Sequence, residues 1–261
     1  MKLISTYIAL TALLFTACNK DDTPYENAIQ IVVNGYNGSN NELEIQIDTT
    51  RYDNSVAYGK YALQPASLVN LNIVYTFPSE KRPTSLTIKD PATGHVVSTK
   101  TLPATGTKAA LNFVYLDGKE LEVNPPAADP ATNKLGFYVQ YTDSDAPFDI
   151  FLYRMDNTTG QEYRQYLAKN VKPGAWIYAD YLPLVDFGAY ILLANTYICF
   201  TKTGTTDQWA FHDDENRSKL SASGMSFPIT GDKGLVQPYF VAPGAWQLEQ
   251  SRMFFSPDRP W

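Results

Sequence analysis

Two histidines, two cysteines and 27 carboxylates are the groups from which this chain could build a catalytic or metal site. His95 closes the turn Pro91-Ala92-Thr93-Gly94-His95, and His212 precedes Asp213-Asp214-Glu215-Asn216. A transition-metal site needs several imidazoles or thiolates at recognisable spacing, and the sequence has no such set. Asp143-Ser144-Asp145 followed by Asp149 alternates hard oxygen donors along a turn, as calcium loops do, but lacks the EF-hand glycine and closing glutamate. A polar hairpin turn ahead of Pro147 is the plainer expectation, with Asp143, Asp145 and Asp149 kept as metal candidates. Cys199 lies in the apolar stretch from Tyr190 to Phe200 and is expected to be a small buried hydrophobe rather than a nucleophile. No G-x-S-x-G elbow, P-loop or G-x-G-x-x-G turn occurs. A glycosidase would need only two facing acids, which spacing cannot pick out of 27. The residues therefore predict a non-enzyme with no catalytic residue and no cofactor.

Aromatic chemistry is the more abundant resource, with 18 Tyr, 13 Phe and 4 Trp. Pro173-Gly174-Ala175-Trp176 and Pro243-Gly244-Ala245-Trp246 repeat one motif. Pro fixes φ at the first corner of a turn and Gly allows positive φ at the second, so each motif predicts a type II turn launching a strand. The preferred expectation is that both indoles plug sandwich ends. The competing one is that exposed rings stack on the C–H faces of sugars, for which Trp176, Tyr178 and Trp209 are the candidates. Strand parity places Trp246 with Leu248, opposite Gln247 and Glu249, so Trp246 is expected in the core. Trp176 shares its face with Tyr178 and Asp180, which draws that face toward water.

Those residues have to be positioned by strands. Leu43-Glu44-Ile45-Gln46-Ile47-Asp48, Leu86-Thr87-Ile88-Lys89 and Leu111-Asn112-Phe113-Val114-Tyr115 alternate at period two. Similar runs begin at Ile29, Leu71, Leu135, Phe148, Trp176 and Phe240, separated by turn signals such as Asn34-Gly35, Asp117-Gly118 and Asp232-Lys233-Gly234. Only Gln161–Asn170 reads as a short helix, from its Tyr163/Tyr166/Leu167 spacing. The fold class is all-β, as two tandem immunoglobulin-like β-sandwich domains. Residues 124–133 carry three prolines and no large apolar side chain, which suits a linker. The expected domains are thus 27–123 and 134–261, whose opening strand pairs look like distant copies of each other.

The first residues say where such a protein would live. Lys2, the apolar run Leu3–Phe15 and Thr16-Ala17-Cys18 have the layout of a secretory signal, too short to span a bilayer. Cysteine directly after the small residue resembles a bacterial lipobox, which implies a signal peptide over 1–17 and acylation of Cys18. The polar run Asn19-Lys20-Asp21-Asp22-Thr23-Pro24 reads as a tether over 18–26 and resembles the acidic export signal of Bacteroidetes-type surface lipoproteins. The whole chain is similar to the tandem immunoglobulin-like lipoproteins of that kind, and the resemblance implies an extracellular binding or scaffolding role on the outer membrane. Contact with membrane would run through the lipid anchor only. A net charge of −6 without any basic run excludes nucleic acid as a natural partner. Two functions follow as expectations: a non-catalytic module for a surface glycan or other polymer, or an accessory subunit of an outer-membrane or fimbria-like assembly.

Overall fold

The computed structural model describes residues 26–53 and 55–254, so the expected signal peptide, Cys18 and all but the end of the tether lie outside the described residues. The first half contains β1 (Glu26–Asn37), β2 (Glu44–Ile47), β3 (Thr50–Tyr52), β4 (Ser67–Pro78), β5 (Ser85–Lys89), β6 (Val96–Thr101), β7 (Lys108–Leu116) and β8 (Lys119–Glu120). The second contains β9 (Asn133–Val139), β10 (Phe148–Met155), β11 (Glu162–Val171), β12 (Trp176–Tyr181), β13 (Thr196–Lys202), β14 (Lys219–Ser221), β15 (Val236–Pro243) and β16 (Leu248–Arg252). No strand lies between Glu120 and Asn133, and none of the side chains at 121–132 is buried. Asn133 itself is fully buried as the first residue of β9, where its amide bonds the carbonyls of Tyr181 and Asp232.

Four four-stranded sheets form two sandwiches, and the second repeats the first strand for strand. In each half the sheet orders are fourth-first-seventh-eighth and third-second-fifth-sixth: β4-β1-β7-β8 with β3-β2-β5-β6, then β12-β9-β15-β16 with β11-β10-β13-β14. The first strand pairs antiparallel with the fourth and parallel with the seventh in both copies. This corrects the immunoglobulin-like expectation. An immunoglobulin sandwich pairs its first strand with its second and groups the third, sixth and seventh. Period-two patterning fixes which residues face a core, and leaves open which strand lies beside which.

Alternation explains the cores. In β1, Ile29, Ile31 and Val33 are buried while Gln30, Val32 and Asn34 are not, and they meet Ile45, Ile47, Leu86 and Ile88 of the facing sheet. Leu135, Phe137 and Val139 play the same part in the second half, against Ile150, Leu152, Ile198 and Phe200. The segment expected as a helix is strand β11, paired along β10 from Phe148↔Val171 to Met155↔Glu162. Its exposed residues Glu162, Arg164 and Tyr166 alternate with less exposed Tyr163, Gln165 and Leu167, so pairing to β10 overrides a weak helical spacing.

The two sandwiches pack sheet against sheet. Val114 and Leu116 of β7 form a third apolar cluster with Tyr138, Phe240, Ala242 and Met253. A row of rings crosses it: Tyr36 on Phe240 at 4.8 Å, Phe240 on Tyr138 at 5.5 Å, Tyr138 against Trp176 at 5.5 Å and Trp176 on Tyr178 at 5.9 Å. Asn112 adds a reciprocal clamp, donating to the Phe254 carbonyl at 2.6 Å and accepting its amide at 2.7 Å. Strands β9 and β15 are therefore covered on both faces, which is why Phe137-Tyr138-Val139 and Tyr239-Phe240-Val241-Ala242 are continuously apolar.

Candidate functional site

The sheet β11-β10-β13-β14 has its inner face in the core and its outer face away from the first half. Cross-strand register sets two rows on that outer face. One runs Tyr166, Phe151, Cys199, Lys219, and the next runs Arg164, Tyr153, Tyr197, Ser221. Beyond the last β13 pairs, Gln208 and Ala210 bond Lys202 and Phe200, which sets Trp209 opposite Thr201 on the same face. The result is an open hollow of about 260 Å³ whose floor includes Phe151 and Cys199 and whose walls include Tyr153 and Trp209.

Four of the charged residues lining this hollow are paired, while Asp207 stands exposed at its rim. Glu162 accepts the Tyr153 hydroxyl at 3.0 Å and the Arg164 guanidinium at 2.7 Å. Arg164 also sits 5.1 Å over the Tyr153 ring. On the other side Lys219 bonds Glu215 at 2.7 Å and lies 4.3 Å over Tyr197. The Tyr153 hydroxyl and Arg164 hold the Glu162 carboxyl below its usual range. Glu162 thus stays ionised, whereas a glycosidase general acid needs its pKa raised. Burial pushes the Cys199 thiol up to about 12, so it is a protonated floor residue and not a nucleophile.

Elsewhere the expected site residues are apart. Trp176 and Tyr178 stand on β12, in the sheet that faces the first half, and do not meet Trp209. Tyr178 lies so close over Gly136 that a Cβ there would come within 2.5 Å of its ring. Burial pushes its phenol up to about 12. Trp176 packs on Tyr138 and Tyr178 where the sandwiches meet, in keeping with the structural role preferred for it. Trp246, expected in the core, is corrected. It is 86% exposed, because Pro243-Gly244-Ala245-Trp246 forms the tip of the β15–β16 hairpin instead of launching a strand. Gly244 donates to the Gln247 carbonyl at 2.8 Å, and only Gly174 takes the positive φ, 82°, that the motif predicts.

The calcium expectation also fails on geometry. Asp149 is buried with its two carboxylate oxygens bonded to the amides of Asn170, at 2.8 Å, and Gly204, at 3.0 Å. Asp143 pairs with His212 at 3.6 Å and Asp145 with Lys172 at 3.7 Å. Among the described residues no group of three or more His, Cys, Asp or Glu is placed to hold a metal ion. His95 is exposed in its turn.

Trp209 is the one expected ligand residue in the hollow. Tyr153 and Tyr197 were missed, although the signal existed: in Phe148-Asp149-Ile150-Phe151-Leu152-Tyr153 the aromatics Phe151 and Tyr153 fall on the parity opposite the core residues Ile150 and Leu152. No protein-family model matches the chain, and no curated protein matches it. Among solved structures it is distantly similar to CBMbc (family CBM26) from Eubacterium rectale Amy13K, crystallised in complex with maltoheptaose. That similarity has 14% identity over 88% of this chain and 99% of the other, with a TM-score of 0.24, too loose an overlay to carry an argument.

Proposed function

We propose that this protein is a non-catalytic binding module for an extracellular glycan, engaged by the outer face of the β11-β10-β13-β14 sheet. The observation that carries the reading is the hollow itself, with Tyr153 and Trp209 at its walls, Tyr197 beside it and paired charges at its sides. Ring faces suit the C–H surfaces of sugars. Arg164, Glu162, Lys219 and Glu215 supply donors and acceptors for hydroxyls while each charge keeps its partner, so a neutral ligand strands no buried charge. Concave sites with a few placed polar groups are the usual form of small-ligand binding.

Placement on the cell surface completes the reading. The lipobox-like Thr16-Ala17-Cys18 and the acidic tether support a chain acylated at Cys18 and held on the outer membrane. A glycan-array screen with the chain from Asp21 onward tests the ligand class. Binding of at least one neutral polysaccharide, lost in Trp209→Ala and Tyr153→Ala, is the expected result, and an empty array is the contrary one.

A further inference from the structure

Between β12 and β13 the chain crosses from one sheet to the other through residues 182–195. Phe187 and Leu193 of this crossing are buried in the core. Gln165 donates to the Leu182 carbonyl at 2.8 Å and accepts the Leu184 amide at 3.0 Å. Arg154 donates to the Asp186 carbonyl at 3.0 Å, Thr230 donates its amide to Gly188 at 2.8 Å, and the Thr196 hydroxyl bonds the Leu192 carbonyl at 2.8 Å. This braced segment nevertheless presents Val185 at 84% exposure, Ile191 at 76% and Tyr190 at 75%, with Leu182 and Leu184 half exposed. Scattered apolar residues on a surface need no explanation, but five from one braced segment do. Asp186, beside Arg154 at 3.5 Å, is its one charged residue.

What covers it follows from area and position. A stable dimer takes ~800 Å² and roughly 20–30 residues from each partner, far more than five side chains from one segment supply. A bilayer sets no such minimum, because every inserted side chain adds to a lipid anchor already in place. Position agrees. Asn112 meets Phe254, whose neighbour Met253 bonds Pro238, while Tyr36, level with Val114, stacks on Phe240. Advancing along β1 and β7 therefore advances along β15 and its parallel neighbour β9. Glu26 opens β1, and the crossing leaves β12 at Tyr181, opposite Asn133 at the start of β9. Both lie at the end where these four strands begin. Cys18 is eight residues before Glu26, a reach of roughly 28 Å at full extension.

We propose that the 182–191 apolar segment rests in the interface of the same bilayer that holds the Cys18 lipid, so the protein touches its membrane at two points and not, as the sequence alone suggests, through the lipid anchor only. This rests on the lipoprotein reading above. Tyr190 would sit at headgroup depth, where tyrosine is enriched, with Val185 and Ile191 deeper. The test uses the full chain purified from membranes and reconstituted into phosphatidylethanolamine–phosphatidylglycerol vesicles. An environment-sensitive fluorophore is placed at Ile191→Cys, and at Trp246→Cys as a control on the opposite end. A blue shift at 191, quenched by nitroxide lipids, with water-like emission at 246, is expected. Water-like emission at both positions on an acylated chain overturns the segment alone, whereas an intact mass without acyl groups overturns the anchor and the segment together. A blue shift at 191 that appears without vesicles and grows with protein concentration also overturns it, in favour of a protein partner.

Discussion

Trp246 sits at a hairpin tip with almost all of its surface in water, whereas Trp176 opens β12 and packs on Tyr138 and Tyr178. Truncating a buried Trp costs ~3–5 kcal/mol, so Trp176→Ala, half buried, should lose about 2 kcal/mol. Trp246→Ala should stay within about 0.5 kcal/mol of the parent. Thermal melts of the two variants check both values. The order is the reverse of what strand parity suggests, because parity applies only once a residue is known to be in a strand, and Pro-Gly-Ala-Trp does not say which side of the hairpin corner the indole falls. Alkaline titration gives a second test at this scale. Burial holds the thiol of Cys199 at about 12 against its ordinary 9, and the phenol of Tyr178 at about 12 against 10. Above pH 9 the unfolded chain gives up these protons first, so their stabilisation is full below that point and lost as pH rises toward 12. Cys199→Ala should flatten the fall in melting temperature at the lower end of that window. An unchanged profile would mean the thiol ionises as freely folded as unfolded.

At the scale of elements, β10 and its neighbours are pinned by one carboxylate. Asp149 accepts the amides of Asn170, within the bulged stretch of β11, and Gly204, in the loop following β13. Each of these part-buried bonds to a charged acceptor contributes about 1 kcal/mol or more, so Asp149→Ala should destabilise by on the order of 2 kcal/mol. Calcium or a chelator should leave the melting temperature of the parent unmoved, and a calcium-dependent melt would restore the metal reading of this loop. Strands were legible here because alternation is local: β2, β5 and β7 can be read straight from Leu43–Asp48, Leu86–Lys89 and Leu111–Tyr115. Pairing was not. Nothing in Gln161–Asn170 alone announces that its exposed residues will lie beside β10, and that register is what brings Arg164 over Tyr153.

At the scale of the molecule, the ring row from Tyr36 to Tyr178 makes the two sandwiches neighbours in contact. Calorimetry should show one cooperative transition. Phe240→Ala, which empties the centre of the row, should cost about 3–5 kcal/mol and separate the halves into two transitions. Proteolysis within 121–132 should cut an exposed connector yet leave both fragments eluting together, and fragments that part on cutting would show the interface to be weak. The repeat of strand order was only hinted at by Gln30–Tyr36 and Gly136–Thr142. The unbroken apolar run Tyr239–Ala242 was the clearer sign that a strand is covered on both faces, though no residue in it names the partner sheet. The same limit held for the hollow: Trp209 could be singled out as an aromatic, but Tyr153 and Tyr197 join it only through the β10–β13 register. Glycan binding by these rings, as proposed, is checked by calorimetric titration of the parent, Trp209→Ala and Tyr153→Ala with the best array ligand. Saturable binding by the parent and at least a tenfold loss in each variant, ~1.4 kcal/mol, are expected, with melting curves showing both still folded. Equal affinity in all three proteins would contradict it.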